Sequence, residues 1–156
     1  MDNLKRIISD HPFFRDLAPV HLTTIVGCAK NVVFHANDVI FREGERADQF
    51  YLIKHGRVAL EVHRPHMGSL MIETIEEGNV LGWSWLFPPY RWHFDARALS
   101  LIRAISLDAT CLQSKAEEDF ELGYNMMKRF GQVMQNRLQA TRLQLLDIYK
   151  NPAETE

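Results

Sequence analysis

The stretch that decides the fold runs from residue 40 to residue 58 and reads IFREGERADQFYLIKHGRV. Gly44 and Gly56 bracket its centre, and glycine frees the backbone for tight turns. Between them, the residues from Phe50 to Ile53 form an apolar run of types that favour β-strands. The order of turn, strand, turn and strand predicts a fragment of an antiparallel β-meander.

The rhythm of short strands extends outward from this stretch, over residues 31–107. Val58, Leu60 and Val62 alternate with more polar or smaller neighbours, which is the pattern of a half-buried strand. Residues 65–68 form a predicted hairpin turn. Several short strands separated by glycine-marked turns predict a small closed β-roll and argue against a parallel sheet.

Helical patterns lie on both sides of the strands. Residues 1–30 contain an amphipathic stretch and a second short helix that starts at Pro19 and runs to about Ala29. After Asp108, a predicted N-cap, a short helix covers residues 110–117 and a long helix runs from about Glu121 to near Lys150. Asn151 and Pro152 are predicted to end the long helix. We therefore expect one domain over residues 1–156, with an N-terminal helical segment (1–30), a β-roll (31–107) and C-terminal helices (109–150).

Composition and charge exclude several classes of function for this chain. The 156 residues carry a net charge of −2, so no overall basic field attracts nucleic acid. No apolar run is long enough to span a membrane, and the first residues lack an apolar signal core. Cys28 and Cys111 are isolated in the sequence, which predicts two reduced thiols in a cytoplasmic protein. Carboxylates and histidines, including His63 and His66, form no catalytic or metal-binding constellation, so we predict no enzyme activity and no metal.

The deciding stretch resembles the cyclic-nucleotide-binding domain of the catabolite-activator (Crp–Fnr) superfamily. The residues that carry the resemblance are Gly44, Ala47, Asp48, Phe50, Tyr51 and Gly56, preceded by a matching segment at residues 11–14 and Leu17. The resemblance covers about residues 11–149. It implies an α+β fold, an antiparallel β-roll (a double-stranded, jelly-roll-like β-helix) flanked by N-terminal helices and a long C-terminal dimer helix. It also implies a module that senses a small ligand.

Residues 78–100, here called the cassette, occupy the place of the family's phosphate-binding segment. In the family a Gly allows close approach of the ligand, and a short helix beside it directs its N–H groups at the cyclic phosphate. A Glu after that Gly holds the ribose, and an Arg about ten residues later binds the phosphate. In this chain Gly82 matches the Gly, but Trp83 stands at the Glu position. Trp92 stands at the Arg position, between Arg91 and His93.

Two interpretations of the cassette follow. Its aromatic side chains either fill the vacated pocket or wall a slot for a planar or apolar molecule. In the second case Arg91, His93 or Arg97 would meet an anionic group, and a cyclic nucleotide bound in an altered way is a further alternative. The candidate ligand-binding residues are Gly82, Trp83, Ser84, Trp85, Arg91, Trp92, His93, Arg97 and Thr141.

Apolar residues recur every seven positions along the long helix. The seam lies over about three heptads and predicts a homodimer, with a helix packed only on its own domain as the alternative. The predicted contacts are Met134, Leu138, Thr141, Leu145 and Ile148. Thr141 also matches a family position that touches the purine from across the dimer; the alternative is a tolerated polar residue in the seam. The cations on this helix, Lys128, Arg129, Arg137 and Arg142, are predicted to lie on a solvated face.

Two functions remain. The first is a non-enzymatic regulatory module, a homodimer that senses an unknown small-molecule effector, either a cyclic nucleotide or another small planar or anionic ligand, and reports it to an unknown protein partner. The second is a degenerate sensor that acts as an interaction or dimerisation scaffold. If the chain is complete at Glu156, it lacks the helix-turn-helix domain that follows the dimer helix in the family's transcription regulators, and we expect no nucleic-acid binding by this chain alone. The lack of a long apolar run predicts no membrane partner.

Overall fold

The computed structural model describes residues 2–150. The chain begins with α1 (Asp2–Asp10), a 3₁₀ turn (Pro12–Phe14) and α2 (Pro19–Val26). Eight strands follow: β1 (Ala29–Phe34), β2 (Val39–Phe41), β3 (Gln49–His55), β4 (Arg57–Arg64), β5 (Gly68–Glu76), β6 (Val80–Leu81), β7 (Asp95–Ala98) and β8 (Ile102–Asp108). The last elements are α3 (Ala109–Glu118) and α4 (Phe120–Lys150).

The strands form two antiparallel four-stranded sheets, in the orders β1-β8-β3-β6 and β2-β7-β4-β5. Their buried side chains, among them Phe50, Leu52, Leu60 and Ile105, form the core. Burying such side chains is the main favourable contribution to folding. The predicted β-roll with flanking helices is therefore confirmed.

The pairing within the deciding stretch differs from the prediction. β3 pairs with β6 and β8, whereas β4 pairs with β5 and β7, so the two strands are not neighbours in a meander. Gly56, the single residue between them, has φ +102°, and a Cβ there would lie 2.3 Å from the carbonyl oxygen of Leu101. Only glycine fits such a position, where the chain crosses from one sheet to the other.

The observed helix boundaries differ from the predicted ones by a few residues. α2 ends at Val26, and Ala29 already belongs to β1, so the prediction that the helix reaches Ala29 is wrong. Asp108 caps α3 as predicted, because its Oδ1 accepts a hydrogen bond from the Cys111 backbone N–H at 3.0 Å. The predicted stop at Asn151 and Pro152 lies outside the described residues.

The two cysteines form a disulfide between Cys28 and Cys111, with their Cα atoms 5.8 Å apart. The prediction of two reduced thiols is wrong. The cysteines are 83 residues apart in sequence, and only the β1–β8 pairing, which places Ala29 opposite Leu107, brings them together. The cysteines therefore give no support to a reducing compartment.

α4 packs on the roll with its first part alone. Leu122, Met126 and Phe130 are buried, whereas all side chains over residues 138–149 are exposed. No helix within the described residues is both long and apolar enough to cross a membrane. The outer part of α4 thus stands away from its own domain.

Candidate functional site

The cassette begins with a left-handed turn. After β6, Gly82 has φ +98°, and the backbone then forms a 3₁₀ turn at Ser84–Leu86. The short helix that the resemblance implies is thus reduced to three residues, and the Trp83 side chain makes no cap hydrogen bond. Such a short turn presents few oriented N–H groups to an anion.

Trp92 occupies the space beside Gly82. Its side chain is 4% exposed, and its ring stacks on Phe41 with centroids 3.7 Å apart and an interplanar angle of 9°. A Cβ placed on Gly82 would lie 2.6 Å from Cη2 of Trp92. The glycine that admits a ligand in the family therefore admits an indole of the same chain here.

The other two tryptophans have different surroundings. Trp85 is buried, stacks on Phe50 at 5.2 Å and meets Phe130 of α4 edge-on at 5.3 Å. Trp83 is half-buried, and the guanidinium carbon of Arg137 lies 4.5 Å from the centroid of its ring. This distance is typical of a cation–π interaction. Trp85 is thus a core residue, and Trp83 links the cassette to α4.

Arg137 is the residue that sequence reasoning missed. Its Nη2 donates a hydrogen bond to the carbonyl oxygen of Val80 at 2.6 Å, and its Nε lies 3.4 Å from Oε1 of Glu73. Burial lowers the pKa of the Arg137 guanidinium, and the Glu73 carboxylate acts in the opposite direction. The predicted solvated face is wrong for Arg137, and also for Arg129, whose Nη1 donates to the carbonyl oxygen of Phe13 at 2.7 Å.

Arg97 is engaged within the roll. Its Nε and Nη2 donate to the two carboxylate oxygens of Glu61 at 2.9 and 3.0 Å, and its Nη1 donates to Asn37 at 3.3 Å. The hydrogen bonds from Arg97 lower the pKa of Glu61. Such a two-pronged pair uses the guanidinium edge that would otherwise bind a phosphate. No pattern in the sequence indicated the partners Glu61 and Asn37.

Ser84 is buried in the 3₁₀ turn, and three further candidates lie on the surface. Arg91 is exposed, and its Nη1 donates to the carbonyl oxygen of Gly44 at 2.8 Å; His93 is also exposed. Thr141 is exposed on α4, where its hydroxyl donates to the carbonyl oxygen of Arg137 at 2.9 Å. The structure thus places Trp92 against Gly82 and Trp83 against Arg137, whereas Arg97 is paired with Glu61 and Thr141 is exposed on α4. Their roles in ligand binding stay predictions.

Comparison with known proteins places these features in a family. Residues 31–119, more than half of the chain, match the family model of the cyclic nucleotide-binding domain. The chain belongs to this family. The cyclic nucleotide-binding domain described here is 22% identical over 145 residues to a CRP-like cAMP-activated global transcriptional regulator of Mycobacterium tuberculosis. That match covers 93% of this chain and 63% of the relative, so the domain spans less than two thirds of that protein.

Solved structures show the same fold. A cyclic nucleotide-binding domain from Methylobacillus flagellatus KT has a TM-score of 0.81 at 17% identity, covering 94% of this chain and 84% of the other. The catabolite activator protein of Thermus thermophilus has a TM-score of 0.67 at 18% identity, covering 89% of this chain and 63% of the other. The described part of this domain contains no group of three or more His, Cys, Asp or Glu residues able to hold a metal ion.

Proposed function

We propose that this cyclic nucleotide-binding domain is a non-enzymatic regulatory module that acts as a homodimer without binding a cyclic nucleotide. The observation that carries the proposal is the position of Trp92, which packs against Gly82 and stacks on Phe41. An indole in that position excludes the phosphate by volume, since protein interiors leave few voids larger than a water molecule.

The charges of the site support the same conclusion. The binding of a cyclic phosphate needs a cation close to the phosphate oxygens, and the Arg97 guanidinium is already paired with Glu61. Trp83, which replaces the ribose carboxylate, holds Arg137 over its ring instead. Freeing either arginine would require the loss of two or more hydrogen bonds or charge contacts within the domain.

Titration calorimetry with cAMP and cGMP tests the proposal. We expect no binding, or binding weakened by roughly one and a half to nearly four decades relative to a family member with an intact cassette, because a missing charged partner costs about 2–5 kcal/mol. The control variant Glu61→Gln removes the negative charge that pairs with Arg97 and shows whether that guanidinium can then serve as a phosphate ligand. A sub-micromolar dissociation constant for the unchanged protein would contradict the proposal.

The apolar stripe on α4 supports the homodimer. Leu138, Leu145 and Ile148 are 52%, 49% and 57% exposed, although each is apolar and lies on the predicted seam. An exposed apolar stripe of this kind is typical of a surface that another protein covers. Its heptad spacing favours a second copy of the same helix.

Analytical ultracentrifugation of the variant Leu138→Glu/Leu145→Glu tests the dimer. We expect the double variant to sediment as a monomer, because two charges would be buried in an apolar contact without partners. The matched control is Leu143→Glu/Leu146→Glu, which adds the same charges at exposed positions outside the seam and should leave the dimer intact. An unchanged mass for the first variant, or dissociation of both, would refute the seam.

The contact between Arg137 and Trp83 favours a second candidate function, the sensing of a ligand other than a cyclic nucleotide. It joins the cassette directly to the proposed dimer helix. A ligand that prefers one orientation of that helix would shift its population by the difference in affinity. Such a ligand should alter both tryptophan emission and amide-exchange protection over residues 120–150, and a ligand that changes only the emission would argue against this function.

A further inference from the structure

An elongated cleft runs along the cassette between residues 85–91 and the first turns of α3 and α4. It has two parts, of about 450 and 420 Å³, which share Trp85, Tyr90 and Gln113 as lining residues. Neither Gly82 nor Trp92 lines either part, so the cleft is separate from the filled pocket of the family. Trp85, whose buried Nε1 has no hydrogen-bond partner in the described structure, lies where the parts meet.

The first part carries two arginines that face each other. Arg46 and Arg91 form an isolated antiparallel bridge. The backbone N–H of Ala47 donates to the carbonyl oxygen of Tyr90 at 2.7 Å, and that of Trp92 donates to Glu45 at 3.0 Å. Hydrogen bonds in these positions flank the bridge, so Arg46 and Arg91 are a non-hydrogen-bonded pair, whose Cα atoms lie about 4.5 Å apart with close side chains.

Two like charges directly opposite each other are unfavourable. Within residues 2–150 neither guanidinium takes part in a salt bridge, although Asp48 lines the same part of the cleft. The Arg91 Nη1 contact to Gly44 holds that guanidinium near the bridge without neutralising it. An anion placed between the two arginines would change the repulsion into attraction.

The second part of the cleft is apolar. Leu86, Leu112 and Met126 contribute to its lining, and Phe120, Tyr124 and Met127 stand at its edge with exposures of 83%, 66% and 48%. Glu117 is the acidic residue of this part. The first part of the cleft thus has a net positive charge from Arg46 and Arg91 against Asp48, and the second part is mostly apolar with one carboxylate.

We propose that this outer cleft binds a small amphiphilic anion, with its carboxylate or phosphate group between Arg46 and Arg91 and its apolar body along Leu112 and Phe120. The charges set the direction of the ligand, because Glu117 would repel its anionic group from the second part of the cleft. This outer cleft is separate from the proposed function. A lack of ligand binding in the cleft would leave the proposal of a nucleotide pocket closed by Trp92 unaffected.

The test uses decanoate as the probe, with decan-1-ol standing for the uncharged apolar half of such a ligand and inorganic phosphate for the anionic half. Binding is followed through the indole N–H resonance of Trp85 in NMR titrations. We expect decanoate to bind at least about tenfold more tightly than either half, since it uses both parts of the cleft. The variant Arg46→Gln should weaken decanoate binding about tenfold and leave decan-1-ol binding unchanged.

The controls separate the proposal from its alternatives. Arg57→Gln removes an exposed arginine that pairs with Glu76 elsewhere on the roll and should change nothing. Equal decanoate binding by the unchanged protein and Arg46→Gln would overturn the proposal, as would phosphate binding as tight as decanoate binding. If decanoate leaves the Trp85 resonance unmoved while Phe120→Ser weakens the dimer in sedimentation, the apolar part belongs to the second copy and the proposal is wrong.

Discussion

The double variant Cys28→Ser/Cys111→Ser is expected to lose up to about 4.5 kcal/mol of its free energy of unfolding, because the disulfide closes a long loop in the unfolded chain. The cysteines are separated by 83 residues, so the loop contains most of the β-roll. The bond also ties the turn after α2 to the first turn of α3. Urea denaturation at a fixed protein concentration measures the loss, since the proposed dimer would make stability depend on concentration.

Reductant provides the matched control for the disulfide. It should destabilise the unchanged protein by an amount similar to the double substitution and leave the double variant unaffected. A double variant as stable as the unchanged protein would show that the backbone contacts beside the bridge are sufficient. One of these is the hydrogen bond from the Asp108 N–H to the carbonyl oxygen of Cys28 at 2.9 Å.

Trp92→Ala is expected to lower the free energy of unfolding by about 3–5 kcal/mol, in the range found when a large buried aromatic side chain is removed. The loss combines the stack on Phe41 with the contact to Gly82 and leaves a cavity beside the cassette. Free indole should then bind in that cavity and recover part of the stability in thermal unfolding, since any ligand of the native state alone stabilises it.

Trp83→Ala serves as the comparison, because Trp83 is half-buried and outside the core stack. We expect a smaller loss of stability from it and no recovery with indole. Indole that raises the melting temperature of the unchanged protein to the same extent would mean that it binds elsewhere. A Trp92→Ala protein as stable as the unchanged one would show that Trp92 does not fill the pocket in solution.

The sequence predicted the fold well because its signals are local. Turn glycines and alternating strands identify a β-roll, and Asp108 marks the start of α3. Strand partners depend on contacts between distant residues, so alternation could not show that Gly56 joins two sheets. The disulfide escaped prediction for the same reason, since the β1–β8 register brings Cys28 to Cys111.

The candidate site was predicted in part. The sequence alone identified the replacement of the family's Glu and Arg by Trp83 and Trp92. The choice between a filled and an open pocket was not, because it depends on Phe41, which comes from another strand and stacks on Trp92. The engagement of Arg97 by Glu61 likewise requires the β4–β7 pairing, which places Arg97 beside Ala59 and Glu61 beside Asp95.

The exposed outer part of α4 would act as a lever arm that pivots at Arg137, which binds Val80 and Glu73 of the roll. Residues 138–149 follow Arg137 and are all exposed, and twelve helical residues span about 18 Å. A rotation of about 10° at this pivot would therefore displace the far end by roughly 3 Å. A small rearrangement of the Trp83 ring under Arg137 would in this way be converted into a larger displacement at the outer end of α4.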